Sequence, residues 1–277
     1  MLSLVSAHHE DIMRQTFLAL VAFLTALGTF GGDRFANANE RHFAFTYETA
    51  TLPEGHFELE PWFTFRTGKE RFFNRFDQRL ELEYGVTDTV TTALYLNYSA
   101  SAFKDGTDVV KELGTPGMSW EWKFKLADPV ADPIGVGLYF EVGAKPHEAE
   151  FEFKLLLDKQ IGDVLVALNA VVESEFELDE TEVELLLELD LAAAWLISTH
   201  FSLGVEVRGV LVMPEVESVE HGALYAGLTL GYRTERFWLA LSILPQVAAL
   251  AGATGDSSLN LTEFERVQSR LIAGYSL

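Results

Sequence analysis

The sequence predicts an all-β fold, a transmembrane up-and-down antiparallel barrel of about 12 strands. Three observations lead to this fold class. Apolar and polar residues alternate over most of the chain, as in Trp120, Trp122 and Phe124 against Glu121 and Lys123. Such alternation places successive side chains on opposite faces of a strand. Downstream of the N-terminal region no segment is long and apolar enough to cross a membrane as a helix, and the polar face carries too much charge for a dry core.

The N-terminal region predicts a secretory signal peptide at residues 1–38. Arg14 precedes an uncharged run of fifteen residues, Thr16 to Phe30, and Ala36-Asn37-Ala38 forms a small-residue cleavage site. A basic residue, an apolar core and such a site are the parts of a signal peptide. An uncleaved anchoring helix is the alternative, and both Met1 and Met13 can serve as the start.

Residues 56–277 predict the transmembrane barrel, and its strands follow one another along the chain. Residues 39–55 precede it as a periplasmic or lumen-entering segment, or as an extra strand. In most of the predicted strands the alternation persists over 8–14 residues, the length that a tilted strand needs to cross a bilayer. The predicted strands are 56–68, 77–86, 90–99, 119–128, 134–143, 150–159, 164–174, 181–191, 200–209, 223–233, 237–244 and 266–277.

One segment is ambiguous, because residues 181–198 are rich in Glu, Leu and Ala, which favour helices. Its apolar residues, Val183 to Leu191 at every second position, lie opposite Glu182, Glu184 and Glu188. A helix would spread these acids around its circumference, so the spacing indicates a strand.

The links between strands predict that both chain ends lie at the same rim. Five links are short and six are longer, such as residues 104–117, with the two kinds alternating. Short turns on one rim and longer loops on the other are typical of outer-membrane barrels.

The charged face predicts the wall of a water-filled lumen, and the oily face predicts the lipid contact. Aromatic residues near both strand ends, such as Phe57 and Trp120, match the belts that a bilayer favours. The candidate lumen-lining residues are Glu58, Glu60, Arg66, Arg79, Glu81, Glu83, Glu121, Lys123, Lys125, Glu141, Glu152, Lys154, Glu182, Glu184, Glu188, Glu206, Arg208, Arg233 and Arg270.

The start of the predicted barrel resembles bacterial outer-membrane β-barrel proteins of a small, porin-like and poorly characterised kind. The motif residues are Tyr47, Thr51-Leu52-Pro53, Gly55 and Phe57 to Glu60, followed by Leu82 to Asp88. The resemblance implies a Gram-negative outer-membrane location and contact with outer-membrane lipids. The apolar C-terminal strand, with Tyr275 and Leu277, resembles the signal read by the barrel-assembly machinery.

Composition excludes several function classes. The chain has no cysteine, which removes thiol nucleophiles and disulfides, and its net charge of −22 disfavours nucleic-acid partners. No cofactor or metal site is predicted, because Asp105 and Asp108 supply too few ligands for calcium. His200 and Ser202 have a spacing that resembles an outer-membrane phospholipase, but they face the lumen and lack companion residues, so no enzyme is predicted.

The excess of lumenal acids predicts a narrow, weakly cation-preferring channel for passive diffusion of small solutes or ions. Three alternatives stay open: a non-conducting structural barrel closed by Arg–Glu pairs, a receptor or adhesin acting through its loops, and, less favoured, a lipid hydrolase. The sequence does not indicate the oligomeric state.

Overall fold

A computed structural model describes residues 41–179 and 182–277, without the side chain of Glu182. The predicted signal peptide lies outside these residues. No helix in the described part is long and apolar enough to span a membrane. The strands are β1 (Phe57–Thr67), β2 (Phe73–Thr87), β3 (Val90–Asp105), β4 (Asp108–Leu113), β5 (Gly117–Ala127), β6 (Gly135–Lys145), β7 (Glu148–Ile161), β8 (Val164–Glu177), β9 (Glu182–Leu196), β10 (Phe201–Pro214), β11 (His221–Arg233), β12 (Phe237–Ala251) and β13 (Val267–Ser276).

Twelve of these strands close into one antiparallel barrel. Each pairs with its neighbours along the chain, and β1 pairs with both β2 and β13, which closes the sheet. The short β4 pairs with the outer part of β3 alone, as a hairpin that extends above the barrel. The predicted fold of about twelve strands is confirmed, and the ambiguous segment forms β9.

Both ends of the barrel lie at one rim, which we call periplasmic because bacterial barrels carry their short turns there. Its connections include the two-residue turns 88–89 and 162–163. The opposite, extracellular rim carries links as long as residues 252–266. The sequence predicts one of the longer links at residues 145–149, between the predicted strands 134–143 and 150–159. This prediction is wrong, because these residues mostly continue β6 and β7 and leave a turn of two residues, 146–147.

The two faces of the barrel have opposite chemistry. Trp120 is 50% exposed on the outer face, whereas its neighbour Glu121 is 1% exposed on the inner face. The same contrast holds on β3 between Leu94 and Tyr95. A long row of exposed apolar side chains is stable only against lipid, so the outer face is the membrane contact.

Residues 41–53, which we call the strap, lie inside the barrel. No strand forms between residues 41 and 56, and the side chains of Phe43, Phe45 and Tyr47 are almost fully buried. The strap leaves the lumen beside Gly85 on β2, where a Cβ atom would lie 2.0 Å from the carbonyl oxygen of Pro53. Glycine at this position therefore lets the chain turn from the lumen into β1.

Residues 252–266, which we call the extracellular cap, fold inward at the opposite rim. Asn260 is buried, donates its backbone N–H to Gln246 Oε1 at 2.7 Å and accepts from Gln246 Nε2 at 3.0 Å. Tyr225 donates its hydroxyl to the carbonyl of Glu265 at 3.0 Å. The lumen is therefore occupied by the strap from one rim and by the cap from the other.

Candidate functional site

Inward-facing glutamates form a row along the barrel wall that is interrupted once, at Ala93. Glu58 lies opposite Glu83 across β1 and β2, and Glu121 lies opposite Glu141 across β5 and β6. Ala93 on β3 is the single register position between them. The carboxylate row consists of Glu58, Glu83, Glu121, Glu141, Glu152 and Glu173.

The carboxylate row rises obliquely from near the periplasmic rim towards the extracellular rim. Directly opposed residues follow a line perpendicular to the strands, and barrel strands tilt by about 35–45° from the barrel axis. Glu58 is accordingly the second residue of β1 from the periplasmic rim, whereas Glu173 is the fifth residue from the extracellular end of β8. A cation that moved along the row would pass these carboxylates in turn, with one gap at Ala93.

Basic side chains compensate part of this negative charge. Arg79 forms an ion pair with Glu141, and Lys154 Nζ lies 3.1 Å from Glu152 Oε2. Arg208 binds Glu188 through both Nε and Nη2. Directly opposed like charges destabilise a sheet, and the pairs at Glu141 and Glu152 offset part of this repulsion within the row.

The centre of the lumen is aromatic and holds cations against ring faces. Tyr47 of the strap packs edge-on against Tyr139, with ring centroids 5.1 Å apart. Lys154 Nζ lies 4.1 Å from the centroid of the Tyr47 ring, and the Arg41 guanidinium lies 4.0 Å from the same ring. Cations held over aromatic faces in a desolvated site gain about 2 kcal/mol. The strap is therefore joined to the charged wall through Tyr47.

Glu206 on β10 anchors the strap through its backbone. This carboxylate is fully buried and accepts the N–H groups of Ala44, Phe45 and Thr46 at 3.0, 3.0 and 2.8 Å. It also accepts the hydroxyls of Thr46 and Ser242. Hydrogen bonds to an ionised acceptor are about twice as strong as neutral ones, so Glu206 fixes the position of the strap.

Two further wall residues continue this anchoring. Asp158 on β7 accepts the Thr49 N–H at 2.9 Å and the Thr49 hydroxyl at 2.8 Å. Thr91 on β3 accepts the Leu52 N–H at 2.9 Å. The buried polar groups of an irregular segment need partners, and here the wall supplies them.

The predicted lumen-lining residues fall into two groups that differ in burial. The side chain of Glu182 is not among those that the structure describes. Arg66, Arg79, Lys125, Glu184, Glu188, Arg208, Arg233 and Arg270 are partly buried. The other ten are buried on the lumen side: Glu58, Glu60, Glu81, Glu83, Glu121, Lys123, Glu141, Glu152, Lys154 and Glu206.

The residues weighed for enzymatic and calcium chemistry do not assemble into sites. His200 Nδ1 lies 3.0 Å from Thr199 Oγ1, and the described part of the chain shows no hydrogen bond between His200 and Ser202. His200 and Ser202 both line a space of about 10 Å³ at the periplasmic rim, which has room for one water. Asp105 and Asp108 pair across the turn of the β3–β4 hairpin.

Comparison with known proteins gives a family and a fold. Residues 35–277 match the model of a family of unknown function (DUF6662). The chain belongs to this family. A comparison with curated proteins finds no match at the sequence level.

Among solved structures, an outer-membrane channel from Pseudomonas putida F1 aligns with a TM-score of 0.56 at 10% identity, covering 88% of this chain and 100% of that one. The NanC porin aligns with a TM-score of 0.52 at 10% identity, covering 79% and 100%. The β domain of the Bordetella autotransporter BrkA aligns with a TM-score of 0.54 at 10% identity, covering 81% of this chain and 100% of that one. The protein thus has the β-barrel fold that these outer-membrane proteins share.

Proposed function

We propose that this protein is a narrow, weakly cation-preferring channel for passive diffusion of small solutes, and that its described conformation is the closed one. The carboxylate row carries this proposal, because it lines the wall from Glu58 near one rim to Glu173 near the other. A passage with acidic, low-dielectric walls concentrates cations and repels anions. The channel relatives support the same function class.

The strap is the proposed gate. Its buried aromatic residues occupy the height at which Tyr139 and Trp62 line the wall, with Tyr47 6.1 Å from the Trp62 ring. The strap forms no strand and is held by side chains such as Glu206 and Asn169. Such a segment can leave the lumen without breaking any hydrogen bond of the barrel ladder.

A non-conducting structural barrel is the second candidate, and the occupied lumen favours it. The receptor or adhesin function has less support, because the longest extracellular link folds inward as the cap and buries Asn260 and Leu261. A hydrolase has no supporting geometry at His200 and Ser202. We further infer that the assembly machinery recognises β13, whose pairing with β1 closes the barrel.

Conductance of the refolded mature protein in planar bilayers tests the proposal. The wild type should show rare openings, and Glu206→Ala, which removes the main anchor of the strap, should conduct at least tenfold more. Chymotrypsin cleavage at Phe43, Phe45 and Tyr47 reports separately whether the strap has left the lumen. A released strap without conductance would overturn the channel in favour of the structural barrel.

Ion selectivity tests the role of the carboxylates. In the Glu206→Ala background, replacing Glu121 and Glu173 by Gln should lower the cation-to-anion permeability ratio, measured from the reversal potential in a KCl gradient. Glu217→Gln on the exposed link between β10 and β11 is the matched control and should leave the ratio unchanged. An unchanged ratio in the double variant would contradict the cation preference.

A further inference from the structure

Two groups of buried carboxylates meet on β1, β2 and β5 in the periplasmic half of the lumen. One oxygen each from Glu81, Glu83 and Glu121 lie within 4.8 Å of one another, and the same is true of Glu58, Glu60 and Glu83. All five side chains are at most 3% exposed. Glu83 belongs to both groups, so the five residues form one carboxylate pocket.

Glu81 leaves one carboxylate oxygen unpartnered inside this pocket. Its Oε2 atom is buried and has no hydrogen-bond partner among the described residues, and the whole residue is 2% exposed. An unsatisfied carboxylate oxygen away from water is costly, more so than a neutral polar group. Native proteins satisfy such groups with a proton donor or a bound ion.

The surrounding groups do not balance the charge of the pocket. Arg41, Arg79, Lys123 and Lys154 interact electrostatically with these glutamates, but Arg79 also pairs with Glu141 and Lys154 with Glu152. The five carboxylates therefore outnumber the basic groups that face them, and two of those basic groups are shared with glutamates outside the pocket. Tyr95 donates its hydroxyl to Glu121, and the Trp62 indole donates to Glu60 Oε2 at 3.2 Å, but neither carries charge.

We propose that Glu81, Glu83 and Glu121 bind a divalent cation, with calcium preferred, and that Glu58 and Glu60 complete its surroundings. An all-carboxylate donor set suits hard cations and disfavours copper and zinc, which prefer imidazole and thiolate. Magnesium gives up its water reluctantly and usually keeps several waters in a protein site, whereas calcium takes about six to eight oxygen ligands in a flexible arrangement. A set of carboxylates that are each at most 3% exposed therefore fits calcium better.

This inference goes beyond conduction, because the site can bind calcium whether or not the barrel opens. It also gives the pocket a structural role beside the strap. Leu52 of the strap donates its N–H to Thr91 on β3, which lies opposite Lys123 on β5. Thr91 is the inward-facing residue next to Ala93, the position that interrupts the carboxylate row. A cation there would stabilise the wall against which the strap ends.

Terbium luminescence on the refolded full-length mature barrel tests the site. Terbium substitutes for calcium, and the nearby rings of Tyr95 and Trp62 should sensitise its emission. The expected result is saturable emission that calcium displaces at lower concentration than magnesium. Absence of saturable emission from the folded wild type would overturn the proposal.

Substitutions locate the ion. Glu81→Gln and Glu83→Gln should each weaken calcium binding at least tenfold, and Glu265→Gln, a buried glutamate of the extracellular cap, should change it less than twofold. Gel mobility before and after heating shows whether each variant is folded. One folded variant, either Glu81→Gln or Glu83→Gln, is enough to test the assignment. Wild-type affinity in a folded pocket variant would overturn the assignment. Conductance and calcium binding are separate readouts, so failure of one proposal leaves the other intact.

Discussion

Tyr47 and Asn169 are joined by two hydrogen bonds in the middle of the lumen. The Tyr47 backbone N–H donates to Asn169 Oδ1 at 2.6 Å, and Asn169 Nδ2 donates to the Tyr47 carbonyl at 2.9 Å. A side-chain amide thus takes the place of the neighbouring strand that a backbone segment would otherwise need. Side chains of the wall thus bind the backbone of the strap. Glu206 and Asp158 also accept backbone N–H groups of the strap.

Asn169→Ala should loosen the strap without unfolding the barrel. The change leaves the Tyr47 N–H and carbonyl unsatisfied, which costs about 1–3 kcal/mol for each buried group. Hydrogen exchange of residues 43–49 should rise at least tenfold. Asn97→Ala is the matched control, because within the described part of the chain Asn97 bonds to the wall residues Arg79 and Ser119 and to no residue of the strap. Equal exchange in the two variants would show that Asn169 does not hold the strap.

Gly85→Ala should displace the strap where it leaves the lumen. A Cβ atom at Gly85 would lie 2.0 Å from Pro53 O and 2.7 Å from Leu52 O, so the strap backbone has to move. Chymotrypsin should then cleave at Tyr47 faster than in the wild type. At Gly209 an added Cβ meets its nearest atoms at 3.7 Å, so Gly209→Ala should behave as the wild type. Equal cleavage of both variants would contradict the close packing of the strap.

The buried ion pair between Arg79 and Glu141 should show strong coupling. Arg79→Met leaves Glu141 buried without its partner, and breaking such a pair costs about 3–5 kcal/mol. Adding Glu141→Gln should recover most of the loss, since the orphaned charge is then gone. Urea unfolding in lipid vesicles measures both free energies. If the double variant were no more stable than the single one, charge compensation would not be the role of Arg79.

Asp128 in the periplasmic turn 128–134 should give a small pH-dependent contribution to stability. The backbone N–H groups of Ala131 and Val130 donate to its carboxylate and lower the pKa of Asp128 below its ordinary value. A lowered pKa means that the contribution is present above the unfolded value of about 3.9 and is lost as pH falls through the folded one. Asp128→Asn should therefore destabilise slightly at pH 7, and the difference should vanish in acid. A difference that is constant with pH would contradict this origin.

The strands could be predicted from the sequence because alternation is a local property. Trp120 is exposed and Glu121 is buried because successive residues of a strand point to opposite faces. The alternation of the residues beside them in the chain already shows this. A lumen-entering segment is one of the options for residues 39–55, but where the strap binds could not be predicted in the same way. Phe43, Phe45 and Tyr47 alternate as a strand would, but their partners Glu206 and Asn169 lie more than 120 residues away.

The sequence pattern also does not predict the inward-facing aromatic residues as a group. Trp62, Tyr139 and Trp238 lie on the polar side of their strands, where a water-filled lumen predicts charge. Their positions have meaning only once the strap is known to pack against them, as Tyr47 does against Trp62 and Tyr139. Large aromatic residues at inward positions are a signal that a barrel lumen is filled.

The lipid-facing assignment is tested most directly by tryptophan quenching with brominated acyl chains. Trp120 is 50% exposed on the outer face, whereas Trp62 is 2% exposed inside the lumen. Two variants that each retain one of these tryptophans, with the other four replaced by Phe, would be refolded into brominated and ordinary vesicles. Bromine should strongly quench the variant retaining Trp120 and leave the one retaining Trp62 nearly unchanged. Equal quenching of the two, or stronger quenching of Trp62, would contradict the barrel with its charged face inside.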